Sequence, residues 1–171
     1  RRVHAVFEFS EGALVLTEAG TKKRASLHVV RGEAALRALD PGGLEVFECD
    51  LEAFGAVLKR ENHTLKRCLT DPHLYSGIGN AYSDEILHRA RLSPVKLSQR
   101  MEAAEIETLF TATREVLSEW LVRLREEVGD RFPEKVTAFH PKMAVHGRHR
   151  EPCPDCDAPV QRIVRGDHET N

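Results

Sequence analysis

Two short groups in this 171-residue chain combine residue types and spacings that suit ligand chemistry. The first is Gly77-Ile78-Gly79-Asn80, which opens the run Ala81-Tyr82-Ser83-Asp84-Glu85-Ile86-Leu87. Glycines at this spacing permit a tight turn and a close backbone approach to a ligand, because no Cβ intervenes. Asn80 falls where a helix N-cap belongs, with unpaired backbone N–H groups and the positive end of the helix dipole behind it. That combination suits a phosphate; the competing reading is an ordinary capped turn. The second group is Cys153-Pro154-Asp155-Cys156, a knuckle of the kind that supplies two thiolates to zinc. A zinc ribbon typically uses two such knuckles about 15–20 residues apart, and no cysteine follows Cys156. Zinc is therefore expected only if a second cysteine pair lies beyond Asn171, since two thiolates hold a structural zinc poorly. His168 and His149 are makeshift third donors, against the plainer reading of each as a solvent-facing side chain. A redox role is disfavoured, because no thioredoxin-like βαβ pattern surrounds the knuckle. Cys49 and Cys68 lie in helical patterns and read as buried thiols.

The elements that position these groups follow from periodicity. Residues 6–16 and 25–30 are rich in β-branched and apolar side chains, with turn signals at Glu11-Gly12 and Gly20-Thr21, and both read as strands. Over residues 50–59, Leu51, Phe54, Val57 and Leu58 share a helical face behind Asp50 as N-cap. Residues 63–70 and 80–90 read as two helices flanking the glycine turn. Residues 103–128 carry a long amphipathic pattern through Ile106, Leu109, Phe110, Thr113, Val116, Leu117, Trp120, Leu121 and Leu124, ended by Gly129-Asp130 and Pro133. Trp120 reads as core packing. From there to His149 the chain is polar and loop-like, and the tail from Glu151 begins a β-hairpin.

Composition narrows the function classes. With 41% hydrophobic and 30% charged residues, the chain reads as a soluble globular protein with one main core and small attachments. No apolar run approaches membrane-spanning length. The few cysteines, two of them in metal-like spacing, argue for a reducing compartment over a disulfide scaffold. The net charge of −2 speaks against a nucleic-acid partner until its distribution is read. Residues 59–100 hold 8 Lys/Arg against 4 Asp/Glu, a net +4 around the glycine turn. Residues 101–130 hold 3 basic and 8 acidic residues, a net −5, which belongs to the long helix. A basic face around the turn and an acidic one behind it is the expected division.

Several ordered motifs together resemble the formamidopyrimidine-DNA glycosylase and endonuclease VIII family. His63-Thr64-Leu65-Lys66-Arg67-Cys68-Leu69-Thr70-Asp71, the glycine turn, its helix and Ala90-Arg91-Leu92-Ser93-Pro94 resemble that family's helix–two-turn–helix. Ala144-Val145-His146-Gly147-Arg148 is similar to the segment leading into the family's zinc finger. Cys153 to Cys156, followed by Pro159-Val160-Gln161-Arg162-Ile163, resembles the first half of that finger. Leu39-Asp40-Pro41-Gly42-Gly43-Leu44-Glu45 resembles the linker between the family's β-sandwich and helical domain. The resemblance implies a mainly α fold: residues 1–38 as remnant strands of a β-sandwich, 39–150 as a helix–two-turn–helix DNA-binding domain, and 151–171 as a partial zinc-finger β-hairpin.

The resemblance also assigns roles. Asn80 matches an asparagine that binds the backbone phosphate at the lesion, with Gly77 and Gly79 shaping its loop. Lys66 matches a basic position that contacts phosphate, the alternative being a solvent-exposed lysine. Glu85 matches an acidic residue expected to fix the turn by hydrogen bonding. Arg148 resembles an arginine near the finger that contacts phosphate. His168 stands where the family usually carries a finger arginine, and a histidine, mostly neutral near neutral pH, gives a weaker and pH-dependent grip. Residues 18–24 stand in place of the family's wedge loop but lack its aromatic.

The implied function is the DNA-binding portion of a base-excision-repair DNA glycosylase and AP lyase that removes oxidised bases. Its implied partner is double-stranded damaged DNA, bound by a monomer in the bacterial cytoplasm at the nucleoid, away from any membrane. The parent chemistry flips the nucleotide out of the stack, attacks C1′ with an N-terminal proline amine and cleaves the strand through a Schiff base. This chain opens Arg1-Arg2-Val3-His4, without that Pro-Glu pair, so it is expected to be the C-terminal part of a longer protein, cut at both ends and inactive alone. No catalytic residue is assigned within it. The alternatives are a stand-alone nucleic-acid-binding helix–two-turn–helix module without catalysis, or a structural domain with no DNA role.

Overall fold

A computed structural model of the chain describes residues 2–18, 25–131, 137–165 and 168–171. It falls into two compact units, Arg1–Asp40 and Pro41–Asn171.

In the first unit, the apolar runs Ala5-Val6-Phe7 and Ala13-Leu14-Val15-Leu16, on either side of Ser10-Glu11, form an antiparallel hairpin. Strand β1 (Arg2–Phe9) pairs with β2 (Gly12–Glu18), Val6 opposite Val15 and Phe7 opposite Leu14, with a register shift between Val3 and Ala5. The turn signal at Glu11-Gly12 thus divides the residues 6–16 read as one strand. Residues 25–30 are not a strand: they are exposed and find no ladder partner among the described residues, and a strand exists only through the pairing of its backbone. A short helix, α1 (Glu33–Arg37), follows Gly32 and buries none of its residues.

The second unit holds the core. Helix α2 (Leu51–Lys59) starts where the Asp50 carboxylate accepts the Ala53 N–H at 2.8 Å, and it buries Phe54 and Leu58 completely. Helix α3 (Leu65–Thr70) begins after Thr64, whose hydroxyl accepts from the Arg67 N–H, two residues later than the sequence pattern suggested. Helix α4 (Asn80–Ala90) ends on Arg91 in the left-handed region at φ 54°. The long helix α5 (Ala103–Val128) opens with a reciprocal Glu102–Glu105 capping box and stops at Gly129.

Ile106, Leu109, Thr113, Val116 and Trp120 of α5 face inward, with Trp120 5% exposed, and they meet Ile86, Leu87, Leu65 and Leu69. Leu121 does not join them. It is 45% exposed, being one residue and about 100° round the helix from Trp120. Tyr75 is buried against Phe54, rings 4.7 Å apart, and its hydroxyl donates to the Phe54 carbonyl at 2.8 Å. Gly43 is required by contact: a Cβ there would lie 2.3 Å from the Pro72 carbonyl oxygen. That close approach lets Leu44 pair with Tyr75 and seats the linker on the core.

Beyond α5, residues 150–160 close on themselves. Arg150 N–H donates to the Val160 carbonyl, Val160 N–H to Glu151, and Cys153 N–H to Ala158. Strands β3 (Ile163–Arg165) and β4 (His168–Thr170) then form a small antiparallel hairpin. Pro133, read as a helix terminator, and all but Glu18 of residues 18–24, read as the wedge-loop position, lie outside the described residues. No helix among the described residues is long and apolar enough to cross a membrane.

Candidate nucleic-acid interface

The glycine turn is built as a cradle. Gly77 sits at φ 78°, a backbone region that glycine enters without strain. Gly79 is extended, at φ −100° and ψ −175°, and its carbonyl accepts the Ser83 N–H. Gly79 is therefore the N-cap, and Asn80, expected in that role, is the first residue inside the helix. The cap falls one residue earlier than the motif suggested because extended Gly79 already closes the first helical bond. Among the described residues no side chain caps α4, so the N–H groups of its first turn find no side-chain acceptor there. The Asn80 side chain is exposed and takes no hydrogen-bond partner among the described residues.

Lys66 lies beneath this turn. It is only 9% exposed, so it is not a solvent lysine. Its Nζ donates to the Asn80 carbonyl at 2.7 Å and to Asp84 Oδ1 at 2.5 Å. Burial pushes the amine below its ordinary range, and the Asp84 carboxylate opposes that shift. The second oxygen of Asp84 lies 2.7 Å from His146 Nδ1; the carboxylate only accepts, so the imidazole donates from that nitrogen. Phe139, itself exposed, stacks on His146 with centroids 5.6 Å apart.

Glu85 does fix backbone by hydrogen bonding, but not that of the glycine turn. Its carboxylate accepts the N–H groups of Ala144 at 2.7 Å, Val145 at 2.9 Å and His146 at 3.0 Å. A segment about sixty residues away in sequence is thereby held to α4, which no local pattern announces. Arg148 donates from Nε to Glu151 at 2.7 Å and from Nη1 to the Met143 carbonyl at 3.2 Å. His149 is half-buried, and the His168 side chain lies outside the described residues.

At the knuckle, Cys153 is buried beside Val145 and Val160, while Cys156 is exposed. The Cys153 thiol is pulled down to about 7, chiefly by the Asp155 backbone N–H, then by His88, with further donors from Cys156. Burial pushes the Cys68 and Cys49 thiols the other way. Cys153 and Cys156 are thus two soft donors, one already poised toward thiolate, which fits half of a tetrahedral zinc set. Among the described residues no group of three His, Cys, Asp or Glu side chains stands ready for a metal.

Three residues of the site were missed in the sequence: Asp84, His146 and His88. The available signal was helical phase. Asn80, Asp84 and His88 recur every four residues and share one face of α4. On that face lie the glycine turn, the Lys66–Asp84–His146 network and the contact to Cys153.

Charge around the turn divides into committed and open groups. Arg89 makes a two-pronged contact with Glu119 at 2.9 and 2.8 Å, and Lys96 pairs with Glu105. Lys59, Arg67, Arg91 and Arg100 are exposed and form no ion pair among the described residues.

The sequence profile of the formamidopyrimidine-DNA glycosylase H2TH domain matches residues 39–128. The formamidopyrimidine-DNA glycosylase of Thermus thermophilus is 40% identical over 118 residues, covering 65% of this chain and 44% of that protein. A Mycobacterium tuberculosis protein described as an uncharacterized formamidopyrimidine-DNA glycosylase-like protein is 34% identical over 131 residues, 77% of this chain and 79% of that one. The crystal structure of the MutM (Fpg) protein from Thermus thermophilus superposes with a TM-score of 0.62 at 34% identity, over 75% of this chain and 50% of that chain. A MutM structure in complex with DNA containing carbocyclic 8-oxo-G reaches a TM-score of 0.77 at 23% identity, over 99% of this chain and 63% of that chain, a likeness of fold. The chain spans about half the length of the Thermus glycosylase. With the H2TH profile across more than half its residues and relatives of this name on both comparisons, the chain belongs to the formamidopyrimidine-DNA glycosylase family.

Proposed function

We propose that this chain is the DNA-binding portion of a base-excision-repair glycosylase and AP lyase, and that its glycine turn holds a phosphate of damaged double-stranded DNA. The observation that carries the reading is the open N-terminus of α4: extended Gly79, first-turn N–H groups without a side-chain cap, and an exposed Asn80 amide whose backbone is fixed from below by Lys66. Such a terminus attracts an anion through both its N–H groups and its dipole. Gly77 and Gly79 keep the approach clear, and Lys66, itself paired with Asp84, holds the Asn80 backbone from below. Arg148, by exchanging Glu151 for a phosphate, and His168 supply further backbone contacts. In this reading residues 1–38, 39–150 and 151–171 serve as sandwich strands, DNA-binding domain and partial finger of a monomer, with Cys153 and Cys156 as two ligands of a zinc that a second cysteine pair completes.

Support comes from the solved relatives, whose descriptions include DNA containing Fapy-dG and carbocyclic 8-oxo-G. The test is Asn80→Ala in a duplex-binding titration. Affinity should fall by about 1–3 kcal/mol, the value of a hydrogen bond to a charged group, equally for duplexes of different sequence, since phosphate contacts position without reading bases. Because Gly79 is the cap, helix content should hardly change. Unaltered affinity in a folded Asn80→Ala protein overturns the assignment.

A further inference from the structure

Among the described residues, three that are not glycine hold a left-handed backbone: Arg91, Arg150 and Asp157. For two of them the residue type has a local reason. Arg91 ends α4, where a cation meets the negative end of the helix dipole. Asp157 closes the knuckle turn with its N–H on the Cys153 carbonyl, and aspartate tolerates this region. Arg150 has neither reason. The Glu151 N–H donates to the Arg148 carbonyl at 2.9 Å, so residues 148–151 form a β-turn. Of its two central residues only Arg150 has a positive φ, 71°, which is the type II pattern. Glycine enters that position without strain, and an arginine does not. The backbone cannot relax, because Arg150 N–H is bound to the Val160 carbonyl at 2.9 Å and Val160 N–H to Glu151.

The strained residue carries an unspent cation. Arg150 is exposed, and its guanidinium makes no hydrogen bond, ion pair or ring contact among the described residues. The adjacent carboxylate, Glu151, is already taken by Arg148 at 2.7 Å. Residues 135–150 hold 4 Lys/Arg and no Asp or Glu, so the turn closes a basic stretch. That stretch is tied to the helix bearing Asn80: Glu85 holds the N–H groups of Ala144, Val145 and His146, and Arg148 N–H returns to the Val145 carbonyl at 3.1 Å. We propose that Arg150 is a second grip on the duplex, contacting a backbone phosphate other than the one at Asn80, and that its strained turn serves to aim that cation. The inference rests on the reading of the glycine turn as a phosphate site. Strain held at an exposed, unpartnered charge is the kind of outlier that marks a binding function.

The experiment sets stability against binding in one variant. Arg150→Gly removes both the strain and the charge. Its melting temperature should rise by roughly 1–4 °C, since glycine suits the turn. Its duplex affinity, read by fluorescence anisotropy, should fall roughly 5- to 10-fold near 0.1 M salt, with a logarithmic salt slope shallower by about 1. The loss should be the same for duplexes of different sequence. Arg150→Lys keeps a cation on the same backbone and should retain most of the affinity and the full slope. Unaltered affinity and slope in Arg150→Gly overturn the proposal, as does equal loss in Arg150→Lys. A lower melting temperature for Arg150→Gly overturns it too, because arginine would then be stabilising the turn. If Asn80→Ala weakens binding and Arg150→Gly does not, the glycine-turn reading stands without this one. A chain that binds no duplex removes both.

Discussion

Asp84 has no exposed side-chain surface, and each of its oxygens meets a different donor, Lys66 on one and His146 on the other. A buried carboxylate in this state depends on both. Lys66→Met should destabilise the chain by about 3–5 kcal/mol in urea unfolding, because it leaves a buried charge short of its cation; a loss under about 1 kcal/mol would mean that His146 alone compensates it. Gly43→Ala should cost about 1–3 kcal/mol by forcing a methyl against the Pro72 carbonyl. These residues differ in how far they were legible. Gly77, Gly79 and Asn80 announce themselves, since turn and cap preferences act over a few neighbours. Lys66, Asp84 and His146 come from three separate segments, and nothing within a window around any of them reveals the other two. Lys66 accordingly read as either a phosphate ligand or a solvent lysine, and its buried ion pair emerged only from packing.

Among elements, helices with strong caps and a long apolar stripe were readable almost to the residue. Helix α5 spans the expected 103–128, and α2 starts behind Asp50 as its carboxylate requires. Asp50→Ala should lower stability by about 1 kcal/mol, the usual cost of an N-cap, measurable as a shift in urea midpoint. Strands were less legible. Residues 25–30 have β-like composition, but composition cannot supply a partner. The contact between α4 and α5 includes Arg89 and Glu119, and the guanidinium holds Glu119 below the usual carboxylate range. A depressed folded value means that stability is fully present above the unfolded pKa, about 4.3, and is lost as pH falls through the lower folded one. With both side chains about half exposed, the pair should contribute under about 1 kcal/mol. A double-mutant cycle of Arg89→Ala and Glu119→Gln should show that coupling at neutral pH and none in strong acid.

Across the whole molecule, net charge alone misleads. The −2 total hides open basic groups near the glycine turn and an acidic excess on α5. Duplex affinity should therefore fall as salt rises, with a slope of roughly −3 on logarithmic axes if a few phosphates are neutralised; a flat profile would indicate that the basic groups do not meet the backbone. The stripe along α4 has a metric consequence. Asn80 and His88 are eight residues apart on one continuous helix, so at about 1.5 Å per residue their backbones are roughly 12 Å apart along its axis. The helix works as a ruler. The distance between Asn80 and the cysteine knuckle is set by hydrogen bonds internal to one rod. Lengthening that rod by a single residue would turn its far end by about 100° and swing His88 off the sulfur, while leaving Asn80 where it stands.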